Sequence, residues 1–239
     1  DFRKKDVGVR LKSFIEDTRL AGIILAAPLS NMPKIVRAIE STGTPCVRLS
    51  PGKESGKFLS VTTNDREVCA EMTRYLAGLG HTRIAFITGD PDHKAVAIRY
   101  LGYQDGLKDS GLTFSEKLVA AGDNSFGSGE ACAEKLLKRK NPPTAIFAAN
   151  DDMAAGVIRV AKRLGINVPG QLSVAGFDDI ALARQIEPAL TTIRQPLVEM
   201  AEEAARMLST GNGEDAAAAR HEQVPASIKI RESTGPAPH

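Results

Sequence analysis

The stretch that decides the fold is TAIFAANDDMAAGVIRVAKRLG, residues 144–165. It opens with a short apolar run of the kind found in strands that are buried on both faces. Polar residues follow at 150–152, and apolar side chains then recur at helical spacing as far as Gly165, a typical helix stop. The stretch therefore predicts a buried strand, a polar turn and a helix, which is the repeating unit of a parallel sheet covered by helices.

The same unit recurs along the chain. Further strands are predicted at 22–26, 45–49, 83–87, 172–176 and 226–230, and helices at 32–41, 67–79, 94–110, 129–138, 153–164 and 196–208. The length of 239 residues is enough for two modest lobes. We expect the segment 211–220 to be an exposed connection and the tail from Ser233 onward to be frayed.

The composition is that of a soluble globular protein, with 42% hydrophobic and 25% charged residues. The net charge is only +2, from 31 basic and 29 acidic side chains that are spread along the chain. That balance gives no field that would attract nucleic acid by itself. No apolar run approaches the roughly 20 residues that a membrane span requires.

Three cysteines, Cys46, Cys69 and Cys132, stand far apart in apolar or helical stretches. An odd number of scattered cysteines is typical of reduced core thiols and favours a reducing, cytoplasmic compartment. The sequence contains no dinucleotide fingerprint, phosphate loop or nucleophile elbow, and no zinc-ligand spacing. We therefore predict no catalytic residues, no metal and no cofactor.

Three of the apolar runs end in polar residues, at 87–90, 148–152 and 175–179. The carboxyl ends of parallel strands share one edge of the sheet, where ligands bind in open α/β folds. Asn150 and Asp178 stand nearest the strand ends and are predicted to bind a ligand. Capping of the following helix is the alternative, and it applies above all to Asp151, Asp152 and Asp179.

Arg99 is the candidate cation for this edge, because a planar five-donor group suits carboxylates, acids and polyols. A solvated helix face or a structural ion pair is the alternative for Arg99. His93 lies in a loop beside the same edge and is a further candidate, although a lone histidine is usually a plain surface residue. His81 follows a helix end, where a structural role is the better prediction.

Six phrases occur in a specific order and spacing: LGHTRIA (79–85), RYLGY (99–103), AANDDMA (148–154), VAGFDD (174–179), LTTIRQP (190–196) and IREST (230–234). Together they resemble the LacI family of bacterial transcription regulators, and the likeness runs from roughly residue 21 to residue 234.

The resemblance implies a type I periplasmic-binding-protein-like core of two doubly wound parallel-sheet lobes, which closes on an effector and forms a homodimer. The implied lobes are 1–80 with 194–222 and 81–193 with 223–233, followed by a tail at 234–239. It also implies that Arg99, Asn150 and Asp178 line the pocket. Operator DNA would be bound through an amino-terminal helix-turn-helix, which we expect this chain to lack together with the first strand and helix of the first lobe.

This sequence departs from the family pattern near the implied pocket. Asn124 stands where many members have an aromatic ring that stacks on a sugar, and Phe126 is the candidate to compensate. His93 and Lys94 replace a serine-rich loop and add positive charge, which points to a sugar acid or a phosphate. A pocket role for Asn64 or Asp65 is doubtful, because the order of this pair is reversed.

The leading prediction is the effector-sensing core of a transcriptional repressor, with a sugar or sugar derivative as ligand. A solute-binding protein of a sugar transporter is the alternative on the same fold. An enzyme that uses the strand-end carboxylates as acid and base is the third candidate, but no complete catalytic arrangement supports it.

Overall fold

A computed structural model describes residues 6–52, 58–210 and 221–238, so the predicted connection at 211–220 lies outside the described residues. The chain divides into two compact units. Unit 1 comprises Asp1–Thr63, Asp92–Ala95 and Pro196–Pro225. Unit 2 comprises Asn64–Pro91, Val96–Gln195 and Ala226–His239.

Within the described residues, strands and helices alternate along most of the chain. The strands are β1 (Ile23–Leu25), β2 (Cys46–Leu49), β3 (Leu59–Thr62), β4 (Ile84–Thr88), β5 (Val119–Ala121), β6 (Ala145–Ala148), β7 (Ser173–Asp178), β8 (Thr191–Arg194), β9 (His221–Gln223) and β10 (Ser227–Lys229). The helices are α1 (Val7–Thr18), α2 (Pro33–Glu40), α3 (Asp65–Gly78), α4 (Lys94–Asp109), α5 (Phe126–Leu137), α6 (Asp151–Arg163), α7 (Ala181–Gln185) and α8 (Leu197–Thr210).

Unit 1 is built on a parallel sheet in the order β1-β2-β3-β9. Neighbouring residues of β2 point to opposite faces, as the pleat requires. Cys46 belongs to an apolar cluster with Ile35 and Ile39 of α2, whereas Val47 belongs to one with Met200 of α8. Helices therefore cover both faces of this sheet.

Unit 2 is built on a six-stranded sheet in the order β10-β8-β7-β6-β4-β5. All neighbours are parallel except β10, which pairs antiparallel with β8. On one face, Tyr103 of α4 stacks on Phe86, with ring centroids 5.0 Å apart. On the other face, a Cβ at Gly176 of β7 would lie 3.3 Å from Ala154 of α6. The prediction of doubly wound parallel sheets is confirmed.

The six strands and six helices predicted from 22–26 onward are found within a few residues of their predicted ends. The helices α1 and α7 and the strands β3, β5, β8 and β9 were not predicted. Helix α1 lacks a side-chain cap and leaves Val9 and Phe14 exposed, so its apolar pattern is poor. Strands β3, β5 and β9 contain only three or four residues each, which is too short for a periodic signal.

The boundary between the units differs from the one implied at residue 80. Helix α3 belongs to unit 2, and the chain passes between the units after Thr63. The physical reason is packing, because Val68, Met72 and Leu76 of α3 are fully buried in the core of unit 2.

The prediction of a frayed tail from Ser233 onward was wrong. The Ser233 hydroxyl donates to Val174 O at 2.6 Å and accepts from Thr191 N at 2.8 Å. Further along, Ala237 N donates to Leu79 O at 2.8 Å. The prolines of the tail ended the helical and strand patterns in the sequence, but hydroxyl and backbone hydrogen bonds hold this segment to the unit.

Cys46, Cys69 and Cys132 are buried and unpaired with one another. No helix among the described residues is both long and apolar enough to cross a membrane.

Candidate functional site

Arg99 is placed by the close approach of α3 and α4. A Cβ at Gly102 would lie 2.3 Å from Arg66 O, and one at Gly106 would lie 2.6 Å from Ala70 O. Only glycine fits at such distances, so the two helices pack backbone against backbone. This contact brings Arg99, one turn before Gly102, to the amino-terminal end of α3.

The guanidinium of Arg99 is held on three sides. Its Nε donates to Asp65 Oδ2 at 3.1 Å, and its Nη1 donates to Ala149 O at 2.7 Å. The guanidinium carbon lies 3.5 Å from the centre of the Phe177 ring, which is a cation–π arrangement. Arg99 is only 8% exposed, which excludes the solvated helix face. The ion pair with Asp65 is present, so the structural alternative applies to at least one side of the group.

Asp178 ends β7 in a strained backbone conformation. Its φ is +115°, and that of Asp179 is +57°, in the region that side chains other than glycine rarely adopt. Asp178 Oδ1 accepts from Gln195 Nε2 at 2.5 Å and lies 3.6 Å from Arg99 Nη1. Such strain persists only where the surroundings enforce it, and it concentrates at ligand sites. We call Arg99, Asp65, Asp178 and Gln195 the Arg99 cluster.

Carboxylates outnumber cations in the Arg99 cluster. Burial raises the pKa of the Asp178 carboxyl above its ordinary value, although Arg99 and the Gln195 amide oppose the shift. Burial also disfavours the charge of Arg99, but Asp65 and Asp178 more than offset it, so the pKa of Arg99 is raised. One guanidinium therefore faces two carboxyl groups, and a ligand that donates hydrogen bonds would complete the arrangement.

Asn150 is the N-cap of α6, so the capping alternative holds for this residue. Its Oδ1 accepts from Met153 N at 3.0 Å, and its Nδ2 donates to Asn124 O at 2.8 Å. Asn124 itself has a φ of +71°, and a Cβ at Gly89 would collide with its Oδ1 at 1.9 Å. Asn150 therefore holds the turn at Asn124, and the Asn124 side chain in turn packs against Gly89 at the carboxyl end of β4.

Phe126 and His93 lie outside these contacts. The Phe126 ring is half-buried, and the guanidinium carbon of Arg159 lies 5.6 Å from its centre. This contact places Phe126 against α6. His93 belongs to the segment Asp92–Ala95 of unit 1, whereas the Arg99 cluster belongs to unit 2.

Asp151 and Asp179 are not helix caps, contrary to the alternative offered for them. Asp151 is fully buried, with Oδ1 accepting from the Thr192 hydroxyl at 2.5 Å and Oδ2 from Ile180 N at 2.9 Å. Burial raises the pKa of its carboxyl to about 7 against these hydrogen bonds. Asp179 accepts from Arg231 at 2.5 Å and from Arg194 at 2.6 Å. Both residues therefore anchor the turn that follows β7.

His81 is structural, as predicted, although its partners differ from the helix-end carbonyls that were expected. The ring is fully buried, with Nδ1 2.9 Å from Thr144 Oγ1 and Nε2 2.9 Å from Ser173 Oγ. Nε2 also lies 3.1 Å from Gly235 O, a pure acceptor, which indicates that this nitrogen carries the proton. Burial lowers the pKa of His81, so the ring is held neutral.

Comparison with known proteins identifies the family. A sequence model of the periplasmic binding protein-like domain matches residues 73–234. The HTH-type transcriptional regulator DegA of Bacillus subtilis is 34% identical over 226 residues, covering 94% of this chain and 67% of DegA. A solved LacI family transcriptional regulator of Enterococcus faecium with bound ribose is 25% identical, with a TM-score of 0.85, covering 97% of this chain and 85% of that one. The chain belongs to the LacI family of transcriptional regulators.

The fold of this LacI-family chain is also similar to that of a second solved regulator. The transcriptional regulator CelR, solved as its cellobiose complex, matches with a TM-score of 0.88 at 29% identity, covering 97% of this chain and 71% of CelR. The periplasmic-binding-protein-like fold is thereby confirmed. The chain spans 40% to 67% of the length of the curated relatives that it matches.

Two members of the Arg99 cluster were missed or doubted at the sequence level. In the sequence, Gln195 stands out only as part of a LacI-family phrase. Nothing in its spacing indicates a hydrogen bond to Asp178. Asp65 was judged doubtful because its pair is reversed relative to the family. The structure gives Asn64 a different contact, in which its Oδ1 accepts from Ala226 N at 2.8 Å, and it leaves Asp65 for Arg99. The sequence signal that could have indicated Asp65 is the presence of an acidic residue in the first turn of α3.

Among the residues that the structure describes, there is no group of three histidine, cysteine or acidic side chains arranged to hold a metal ion.

Proposed function

We propose that this chain is the effector-sensing core of a LacI-family repressor, and that a small polar ligand of the sugar class binds at the Arg99 cluster. The observation that carries the proposal is the strained Asp178, whose carboxylate lies 3.6 Å from a guanidinium that Asp65 and Ala149 hold in place. Such prior positioning lowers the entropy cost of binding.

The chemistry of the cluster favours a polyol over an anion. Asp65 and Asp178 are hydrogen-bond acceptors, and Arg99 already has both of them as neighbours. Sugar hydroxyls can donate to a carboxylate and accept from a guanidinium at the same time. The cellobiose and ribose in the complexes of the two relatives belong to this class. His93 and Lys94 belong to unit 1, so this balance is that of the unit 2 residues alone.

The remaining predicted ligand contacts form a second group. We include Asn150 and Asn124 because they hold the neighbouring strand end, and we retain Phe126 and His93 as candidates for contact with a bulkier ligand. Asn150 has an amide hydrogen in addition to the one that it donates to Asn124 O.

The full regulator would be a cytoplasmic protein that binds operator DNA through a helix-turn-helix segment and pairs with a second copy of itself. A ligand that binds one conformation of the core more tightly than another would shift the protein between DNA-binding states. The curated relatives are transcriptional regulators, which disfavours both the transporter protein and the enzyme.

A ligand screen tests the proposal. Purified chain would be heated with hexoses, pentoses, disaccharides, sugar acids, sugar phosphates and nucleosides, and binding would be scored as a rise in the unfolding temperature. We expect at least one neutral sugar to raise it. Asp178→Asn keeps the oxygen that Gln195 bonds and removes the charge, so it should weaken binding at least tenfold.

Asp105→Asn is the matched control, because Asp105 also pairs with an arginine, Arg66, but on the exposed surface of the same unit. The affinity of the Asp105→Asn variant for the sugar should equal that of the unmodified chain. Equal affinity in Asp178→Asn and Asp105→Asn would overturn the placement of the site, and turnover of a bound sugar would overturn the sensor function.

A further inference from the structure

A cavity of about 350 Å³ lies at the edge of the unit 2 sheet where β4 and β5 begin. The carboxyl end of β4, toward the Arg99 cluster, is about 15 Å away, since each strand residue advances the chain by about 3.3 Å. Four of its seven lining residues are cationic, and none is acidic: Arg83, Ser115, Lys117, Leu118, Arg139, Lys140 and Asn141.

The four cations come from three separate segments. Arg83 precedes β4, Lys117 lies in a 3₁₀ turn at Glu116–Leu118, and Arg139 and Lys140 follow α5. Basic residues after a helix are commonly explained by the negative end of the helix dipole. That explanation covers Arg139, whose Nε donates to Lys135 O at 3.3 Å, but it covers neither Arg83 nor Lys117.

Backbone carbonyls fix both arginines. Arg83 donates from Nε to Pro142 O at 3.2 Å and from Nη2 to Asn141 O. Arg139 donates from Nη1 to Lys117 O, which ties the segment after α5 to the 3₁₀ turn. Carbonyls satisfy some of the donors without neutralising the charge, so each guanidinium keeps further N–H groups for an anion.

The last acidic residue of α5, Glu134, pairs with cations outside the lining. Glu134 lies 3.3 Å from Lys138 Nζ and also pairs with Arg163. Among the residues that the structure describes, none of the four lining cations forms an ion pair with a carboxylate. In a protein whose net charge is only +2, this is a local excess of positive charge in a concave site.

We propose that this cavity is a second binding site, specific for a phosphate group that is either free or carried by a small metabolite. A phosphate presents several acceptor oxygens, which matches converging guanidinium and ammonium donors. The volume lies at the small end of the range for ligand pockets, which suits a compact anion and not the backbone of a nucleic acid duplex. The site is independent of the Arg99 cluster, because the two share no residue.

A two-dimensional ¹H–¹⁵N NMR titration tests the proposal. Inorganic phosphate, ribose 5-phosphate and ribose would be added at constant ionic strength, with chloride as the replacement anion. We expect saturable shifts at residues 115–118 and 139–141 with both phosphates and none there with ribose. Tighter binding of the ester identifies a metabolite as the ligand, and equal affinity identifies free phosphate.

Arg139→Gln combined with Lys140→Gln should weaken phosphate binding at least tenfold. Lys138→Gln is the matched control, because it removes the adjacent positive charge from outside the lining. The spectrum itself reports whether each variant is folded, and Asp178→Asn should leave the phosphate shifts unchanged. Equal affinities of the double variant and the control, equal shifts with chloride in place of phosphate, or displacement of phosphate by a DNA duplex would each overturn the proposal.

Discussion

At the scale of single residues, Asp178 and Asp179 have different roles, although the backbone φ of both is positive. Asp179 is pinned by Arg194 and Arg231, and its side chain is only 1% exposed. That anchorage belongs to the surroundings of the neighbouring residue, whose φ is +115°. Asp178 is left with 25% of its side chain exposed, next to Arg99. The anchor and the candidate ligand contact are therefore adjacent in sequence and different in role.

Removing the anchor should cost stability. Asp179→Ala leaves two arginines without their shared carboxylate, and we expect the free energy of unfolding to fall by about 2–4 kcal/mol. Asp109→Ala breaks an exposed pair with Arg74 and should cost less than about 1 kcal/mol. Urea unfolding measures both. Equal losses in the two variants would contradict the role given to Asp179.

Asp151 should make stability depend on pH. Its pKa is about 7 in the folded protein and about 4 when unfolded, so between these values the folded state holds a proton that the unfolded chain has released. The free energy of unfolding contributed by this group therefore falls as pH rises from about 4 to about 7, by at most about 4 kcal/mol.

Asp151→Asn removes this titration while keeping an oxygen for Ile180 N and offering an amide to Thr192. Unfolding in urea at pH 5 and pH 7.5 should show a smaller loss of stability with rising pH in this variant than in the unmodified chain. Asp152→Asn, in the same turn, should behave like the unmodified chain. Identical pH dependence of all three proteins would count against the assignment.

At the scale of elements, the sequence predicted the strands that lie in mainly apolar runs and the helices that end near glycine or proline. The run at 144–165 is such a case, since its strand and helix are found within two residues of the predicted ends. The sequence could not predict β3 or β9, because strands this short show no alternation of apolar and polar residues. The partners of Asp151 and Asp178 were also beyond prediction, because Thr192 and Gln195 follow in the chain by 41 and 17 residues.

The tail from Ser233 onward is held by hydrogen bonds of hydroxyl groups and not mainly by apolar contacts. Ser233→Ala would leave the buried Thr191 N without its acceptor, and we expect a loss of about 1–3 kcal/mol in the free energy of unfolding. Ser209→Ala removes an exposed hydroxyl that bonds to Ala205 O within α8, so it should change stability by less than about 0.5 kcal/mol. Denaturant melts that rank the two variants equally would show that the tail is not held by Ser233.

At the scale of the whole molecule, each unit leaves large apolar side chains exposed. Unit 1 exposes Val9 and Phe14 on α1 and Val198 on α8, and unit 2 exposes Leu164 and Ile180. A second copy of the chain in the proposed homodimer would cover exposed side chains that form one continuous patch. Sedimentation of the purified chain at micromolar concentration should therefore give twice the 25.5 kDa of one chain. A monomer at that concentration would contradict the proposal for this chain.

A crystal structure of the chain with the sugar selected by the screen tests whether a small polar molecule binds at the Arg99 cluster. We predict ligand hydroxyls within hydrogen-bond distance of both Arg99 and Asp178, with Asp178 still at positive φ. A sugar bound elsewhere on the chain, with the pair of Arg99 and Asp178 untouched, would contradict the account.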